Sequence, residues 1–254
     1  METTQDGFLN NAIQVLQPAK GAHRAGLDAI LLAASIPRDA KGVLADFGSG
    51  AGVAGFAALH MAPDLTAILL ERDETMADLA TRSLVLNRGF AGRAQVLTVD
   101  LTLRGDERRA AGLTDNRFDW IIANPPYNPV ETHQSSSKRL RKSAHAMEEN
   151  LLAQWVETAR LTLRHKGALR FILRPENLAD ILAALGGFGH IRLLPIAPRA
   201  GENAHRVIVA AQKDQRNPLQ ILPPLVLHEA DGTFTPQTEA IMRGKNRAAL
   251  TPAA

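Results

Sequence analysis

Asn124, Pro125, Pro126 and Tyr127 are the four consecutive residues whose types and order carry the clearest chemistry in this 254-residue chain. Pro125 drives Asn124 out of the helical region and toward extended backbone. The two prolines fix φ at successive positions and remove two backbone donors. Asn124 therefore offers a neutral amide on a stiff support, with an acceptor oxygen and two donors. Tyr127, the only tyrosine among eleven aromatic residues, adds a flat ring and a hydroxyl. An amide and a ring so placed can hold the edge and the face of a planar amine together. That is the requirement for alkylating a nucleobase or amide nitrogen. A bland alternative exists, in which Pro-Pro ends a strand and Asn124 caps a turn.

A second constellation lies upstream. Gly42 to Phe47 is a short apolar run, followed by Gly48-Ser49-Gly50-Ala51-Gly52 and an apolar stretch to Met61. Strand, glycine loop, helix is the expected order. Glycines allow close approach of backbone to a ligand, and a helix start offers free amides. Asp46 stands at the strand end. A second strand, Ile68 to Leu70, runs into Glu71, which follows Gly50 by 21 positions. That separation suits a carboxylate holding ribose hydroxyls. Gly50, Gly52 and Gly55 also satisfy the dinucleotide pattern, so the loop alone does not separate a nicotinamide cofactor from S-adenosylmethionine. Ala94 to Val99 predicts a third strand, with Asp100 at its end placed to accept from an adenine amino group and Leu101 to pack on the ring. The loop from Glu131 to Ala146 carries Lys138, Arg139, Arg141 and Lys142. These four cations beside Asn124 read either as phosphate contacts or as a solvated surface.

The elements that must position these residues follow from periodicity. Leu27, Ile30, Leu31 and Ala34 predict a helix stopped by Pro37. Asp28 within it complements the helix dipole or, with Arg24, projects onto the site. Gly7 to Leu16 reads as a short β-hairpin or an irregular lead-in. Glu74 to Asn87 predicts a helix, Thr102 to Arg117 a charged connection, and Asp119 to Ala123 the strand that delivers Asn124. Met147 to Leu163 predicts a helix, Gly167 to Leu173 a strand, and Pro175 to Leu185 another helix. His190 to Ile196 and His205 to Gln212 predict a final antiparallel pair, because no helix separates them. The fold class is α/β, a doubly wound, Rossmann-like sheet of seven strands, mostly parallel with an antiparallel last strand. The expected organisation is a lead-in over residues 1–40, the main domain over 41–213, and an extension over 214–254.

Composition narrows the classes. Hydrophobic residues make up 45% and charged residues 22%, a globular balance. The net charge of +3 is compatible with a nucleic-acid partner without demanding one. The chain has no cysteine, which excludes disulfides, thiolate nucleophiles and cysteine-held metals. No metal is expected. Neither a signal-peptide pattern nor an apolar run of membrane-spanning length occurs, so a cytoplasmic protein without a membrane partner is expected.

Asp46 to Gly52, Glu71, Asp100 and Asn124 to Tyr127 together resemble the class I S-adenosylmethionine-dependent methyltransferases of the small methyltransferase domain type. The resemblance covers about residues 20–212 and includes Arg24 to Ala29, a segment these enzymes carry just upstream. It implies S-adenosylmethionine as cofactor, held by Arg24, Asp28, Asp46, Gly48, Ser49, Gly50, Gly52, Glu71, Arg72, Asp100, Leu101 and Asn124. It implies Asn124, Pro125, Pro126 and Tyr127 as the groups that orient and stack the target amine. Within the family the chain is most similar to bacterial enzymes that methylate the exocyclic amine of an adenine in a valine tRNA, which makes RNA the expected partner. Relatives with the same motif modify ribosomal RNA guanines, DNA adenines or a release-factor glutamine, so a methyltransferase for another nucleic-acid base, a protein glutamine or a small molecule is the second reading. A nicotinamide-dependent oxidoreductase is the alternative of another class. The basic Lys138 to Lys142 run is outside the family's pattern.

Overall fold

The structure, a computed structural model, describes residues 2–19, 26–125, 151–248 and 250. Of the expected site residues, Arg24, Pro126, Tyr127, Lys138, Arg139, Arg141 and Lys142 lie outside the described residues.

A hairpin opens the chain: β1 (Thr3–Phe8) pairs antiparallel with β2 (Ile13–Pro18). Its turn runs through Leu9, Asn10 and Asn11, all at positive φ. Asparagine tolerates that region better than other non-glycine residues. The hairpin is docked on α3 (Glu74–Leu86) by side chains that replace a sheet neighbour. Asn87 Oδ1 accepts from Gln14 N–H at 2.9 Å, and Ser83 Oγ accepts from Leu16 N–H at 2.9 Å.

The main sheet starts after α1 (Leu27–Ala34). In chain order it is built from β3 (Gly42–Phe47), β4 (Leu65–Glu71), β5 (Ala94–Thr98), β6 (Phe118–Ala123), β7 (Leu163–Leu173), β8 (Phe188–Ala197) and β9 (Arg206–Lys213). Two short strands, β10 (Gln220–Ile221) and β11 (Leu225–Val226), both add to β8 and bring the sheet to nine. The spatial order is β10-β8-β9-β7-β6-β3-β4-β5. β3 to β7 run parallel, and β9 is antiparallel to both neighbours, β7 and β8. The expected seven strands are thus present with the antiparallel member last. Connecting helices are α2 (Val53–Met61), α3, α4 (Gly105–Ala110), α5 (residues 151–162), α6 (Leu178–Ala184) and, in the tail, α7 (Pro236–Met242).

Both faces of the sheet are covered, so its strands read as nearly continuous apolar runs. Alternation sorts them into two cores. Leu44, Ile122 and Ile172 face the side of α1, α2 and the hairpin, while Ala45, Phe47, Ile121, Ala123, Phe171 and Leu173 face the side of α5 and α6. Helix α2 is apolar all round and buried except at His60, as a helix wedged between layers must be.

Two expectations need correction. The segment from Thr102 to Arg117 is not merely a charged connection, because it contains α4. That helix anchors itself by a buried arginine: Arg108 is 1% exposed and donates to the Leu113 carbonyl and to Asp115. The sheet also has two more strands than expected, because residues 219–227 join it through pairing with β8.

The topology decides where a ligand can sit. From β3 the chain steps outward to β4 and β5, then returns to the other side of β3 with β6. At such a reversal the loops leaving the two central strands diverge and open a crevice at their carboxyl ends. Phe47 and Ala123 are register partners at the ends of β3 and β6, so Gly48 and Asn124 leave the sheet side by side.

Candidate active site

The crevice is built from the ends of β3, β4, β5 and β6. The loop leaving β3 has no room for side chains where it turns. Gly52 has φ +94°, and a Cβ there would stand 2.6 Å from Leu69 and 2.7 Å from the Phe56 ring. Gly48 has φ +63°, and its Cβ would meet the Trp155 ring at 2.5 Å. Backbone conformation and lack of space therefore both require glycine at these two positions. Within the loop, Ser49 N–H donates to the Leu70 carbonyl at 3.1 Å, Gly52 N–H to the Ser49 carbonyl at 2.9 Å, and Gly50 N–H to Glu71.

Glu71, at the end of β4, holds the loop directly. Its Oε2 accepts from Gly50 N–H at 2.8 Å, and its Oε1 accepts from Arg72 and Asp73 N–H at 2.8 and 2.9 Å. An ionised carboxylate has about four acceptor positions, so three are engaged by backbone. Asp73 caps α3 by accepting from Met76 N–H at 2.9 Å.

Asp46 is 2% exposed, and its Oδ2 accepts from Gly55 N–H at 2.8 Å. Burial raises its carboxyl from the ordinary 3.8 to about 7; the Gly55 N–H opposes that rise and the nearby Glu71 adds to it. A carboxyl so raised holds its proton more tightly than an exposed one, and a cation placed beside it opposes that rise.

Asp100, beyond β5, folds back on Thr102, accepting from its N–H and its hydroxyl at 2.8 Å each. Burial pushes this carboxyl up, but the two Thr102 bonds, with Arg72 and Arg104 nearby, outweigh it and hold Asp100 below the usual carboxylate range. Asp100 lines an open depression of about 440 Å³ with Arg72, Asp73, Thr98 and Val99. Leu101 is buried in the core of the α5 face, and its carbonyl accepts from Thr158 Oγ at 2.7 Å.

Asn124 is half-buried and Pro125 is buried. Asn124 Oδ1 is shielded from solvent and has no hydrogen-bond partner among the described residues, and the same holds for Ser49 Oγ. A buried unpaired acceptor costs about 1–3 kcal/mol, so its persistence at a crevice points to a donor that comes and goes.

The structure therefore brings Asp46, Gly48, Ser49, Gly50, Gly52, Glu71, Asn124 and Pro125 to one crevice. Arg72 and Asp100 sit on its β4–β5 flank. Asp28 Oδ2 accepts from Arg206 Nε at 2.8 Å, which ties α1 to the start of β9 on the same carboxyl-end edge of the sheet, two strands from β6. Sequence reasoning missed three participants. Trp155 closes the loop from beneath, edge-on to Phe47 at 6.4 Å and 87°. Thr158 fastens Leu101, and Arg206 engages Asp28. Trp155 and Thr158 read as ordinary positions of a helix. The partner of Asp28 is 178 positions away, beyond any local pattern.

Residues 24–184 match the family described as Methyltransferase small domain. A tRNA1(Val) (adenine(37)-N6)-methyltransferase of Photorhabdus laumondii is 24% identical over 226 residues, covering 87% of each chain. One of the same name from Pedobacter heparinus is 28% identical over 178 residues, covering 69% of this chain and 71% of its own. Among solved structures, a predicted O-methyltransferase from Agrobacterium tumefaciens has a TM-score of 0.75 and 36% identity, covering 87% of this chain and 97% of its own. Pyrococcus horikoshii TYW2, solved in complex with MeSAdo, is similar in fold alone, with a TM-score of 0.54 and 10% identity over 84% of this chain and 72% of its own.

Proposed function

The chain belongs to the methyltransferase small domain family, and from that premise we propose that it transfers a methyl group from S-adenosylmethionine to the exocyclic amino group of an adenine in tRNA. The observation that carries this reading is the buried Oδ1 of Asn124 at the switch-point crevice, which has no hydrogen-bond partner among the described residues. The cofactor, when bound, supplies an electrophilic methyl group on a cationic sulfur.

The residues present fit that cofactor. Gly48 and Gly52 let the loop lie tight on the core, where a Cβ would strike Trp155, Leu69 and Phe56. Asp46 and Glu71 bring negative charge to it, and the fourth acceptor position of Glu71 remains for a ribose hydroxyl. Asp100 and the depression beside it suit the adenine end. Asn124 Oδ1 and the Pro125 carbonyl accept hydrogen bonds from the target amine. This draws the nitrogen lone pair out of conjugation and aims it along the transfer line. Positioning supplies most of the acceleration, and the fixed acceptors stabilise positive charge as it develops on nitrogen. Tyr127 stacks on a base swung out of its strand. Lys138, Arg139, Arg141 and Lys142 meet the backbone phosphates.

The relatives named as tRNA adenine methyltransferases support the substrate class. The similar Agrobacterium protein, described as a predicted O-methyltransferase, points instead to a hydroxyl acceptor. A hydroxyl needs a base to remove its proton before attack, whereas an amine attacks with its own lone pair, releases the demethylated sulfur compound and sheds one proton to solvent after transfer; before that it needs orientation, which Asn124 and Pro125 offer. The deciding experiment is methyl transfer from labelled S-adenosylmethionine to bulk tRNA, ribosomal RNA, DNA and protein in parallel. Label in tRNA as N6-methyladenosine is expected. Label confined to protein, or recovered as an ether, overturns the substrate reading. Calorimetric binding of NADH in place of S-adenosylmethionine overturns the cofactor reading.

A further inference from the structure

One row of the sheet departs from the apolar pattern on the α1 face. Across the strands, Asp46 is in register with Ile122, Ile122 with Arg170, Arg170 with Ala210, Ala210 with Arg192, and Arg192 with Gln220. Ile122 and Ala210 belong to the core on this face, yet the row holds two arginines. They stand two strands apart, about 10 Å at the backbone, with only an alanine between them.

Arg170 is 9% exposed. Its Nη1 donates to the Leu169 carbonyl at 2.8 Å, its Nε has no partner among the described residues, and its guanidinium lies 5.5 Å from the centre of the Trp120 ring. Arg192 donates from Nε to Gln220 Oε1 at 3.2 Å. Among the described residues, neither arginine has a carboxylate within ion-pair reach. Burial first, and then the like charge of Arg192, pushes the Arg170 guanidinium down to about 10. A buried cation without a counter-charge is costly, and cores either pair such a group or replace it.

We propose that Arg170 and Arg192 form an oxyanion site on the α1 face of the sheet, with Arg170 two strands from Asp46 of the methyl-transfer crevice, that takes a phosphate group. Two guanidinium forks of fixed positive charge match a tetrahedral, multiply charged anion better than a single carboxylate. Trp120 holds the Arg170 fork in place beforehand, so little side-chain freedom is lost on binding. Ala210 keeps the two stems from being forced apart. The phosphate is either a free ion or a phosphodiester of the RNA substrate, and the two arms of the test separate these sources.

The first arm uses neither RNA nor methyl donor, so its outcome is independent of the proposed activity. Thermal unfolding of the full chain is followed as inorganic phosphate replaces chloride at constant ionic strength. A saturable rise in Tm is expected. Arg192→Gln, at a partly exposed position, should raise the half-saturating phosphate concentration at least about tenfold, the loss expected for a charge-assisted hydrogen bond. Arg170→Met should lose the response and, without phosphate, melt higher than the parent. In the second arm, Arg192→Gln is compared with the parent for RNA binding over a range of salt. A slope of log affinity against log salt smaller by about 0.7 identifies an RNA phosphate, and an unchanged slope identifies the free ion. If phosphate gives the parent no saturable rise, or the parent and Arg192→Gln respond alike, there is no such site.

Discussion

At the scale of single residues, the proposed function divides the crevice into groups that would hold the methyl donor and groups that would face the acceptor. Asn124 is in the second set. Asn124→Ala should abolish transfer while leaving S-adenosylmethionine affinity within about twofold, because the missing oxygen faces the amine; single-turnover assays and calorimetry on the same preparation check both halves. Asn124→Asp keeps an acceptor but places a charge where two amide donors were. Turnover should fall much further than binding, the sign of an interaction made mainly in the transition state. Parental rates in both variants would reduce Asn124 to a turn residue. Glu71 is in the first set, with a complication visible only in the structure. Because it also receives Gly50, Arg72 and Asp73 N–H, Glu71→Ala loosens the loop as well as the hold on ribose. Cofactor affinity should fall at least about tenfold, since each hydrogen bond to a charged group contributes roughly 1.5–3 kcal/mol. Unchanged affinity would remove Glu71 from the site.

At the scale of elements, the strand–loop–helix units are legible in the sequence because each declares itself locally. The run Gly42 to Phe47, the glycines after it and the acid ending β4 need no distant partner to be read. α4 was hidden because its helix rests on one buried arginine instead of an apolar stripe. β10 and β11 are two residues each and exist only through pairing with β8. Arg170 was invisible for the opposite reason: it sits inside Gly167 to Leu173, a run whose apolar neighbours fix the strand without it. The Lys138 to Lys142 run is read from sequence alone, and its role is a matter of charge. Neutralising Lys138, Arg139, Arg141 and Lys142 together should weaken RNA binding and lower the salt slope by about 0.7 for each phosphate no longer neutralised. Filter binding across a range of salt measures this, and an unchanged slope would make the run a solvated surface.

At the scale of the whole molecule, one buried carboxylate links the site to stability. Burial in the folded chain raises the Asp46 carboxyl from 3.8 to about 7. Between those values the folded chain keeps a proton that the unfolded chain has released, so stability from this group is complete below about pH 4 and is lost as pH rises toward 7. Other groups act differently. Asp100 and Glu157, held below the usual range, contribute stability that disappears only in more acid solution. His60, lowered by burial and Arg247, and His205, lowered by burial and Arg206, add stability as pH rises through the ordinary histidine range. The parent's own profile therefore mixes opposite slopes, and Asp46 is isolated by subtraction. Asp46→Asn preserves an acceptor for the Gly55 N–H but cannot ionise. Its unfolding free energy minus that of the parent should grow by about 1.4 kcal/mol per pH unit at most between pH 4 and 7, then level off. Denaturant unfolding at a series of pH values gives this difference directly. A saturating cationic methyl donor should favour the ionised carboxylate and flatten the difference across the same window, with a proton released on binding near pH 6. A difference that is flat without the donor would mean that Asp46 is already ionised in the free protein, and its charge would then be a fixed part of the loop rather than one drawn out by the cofactor.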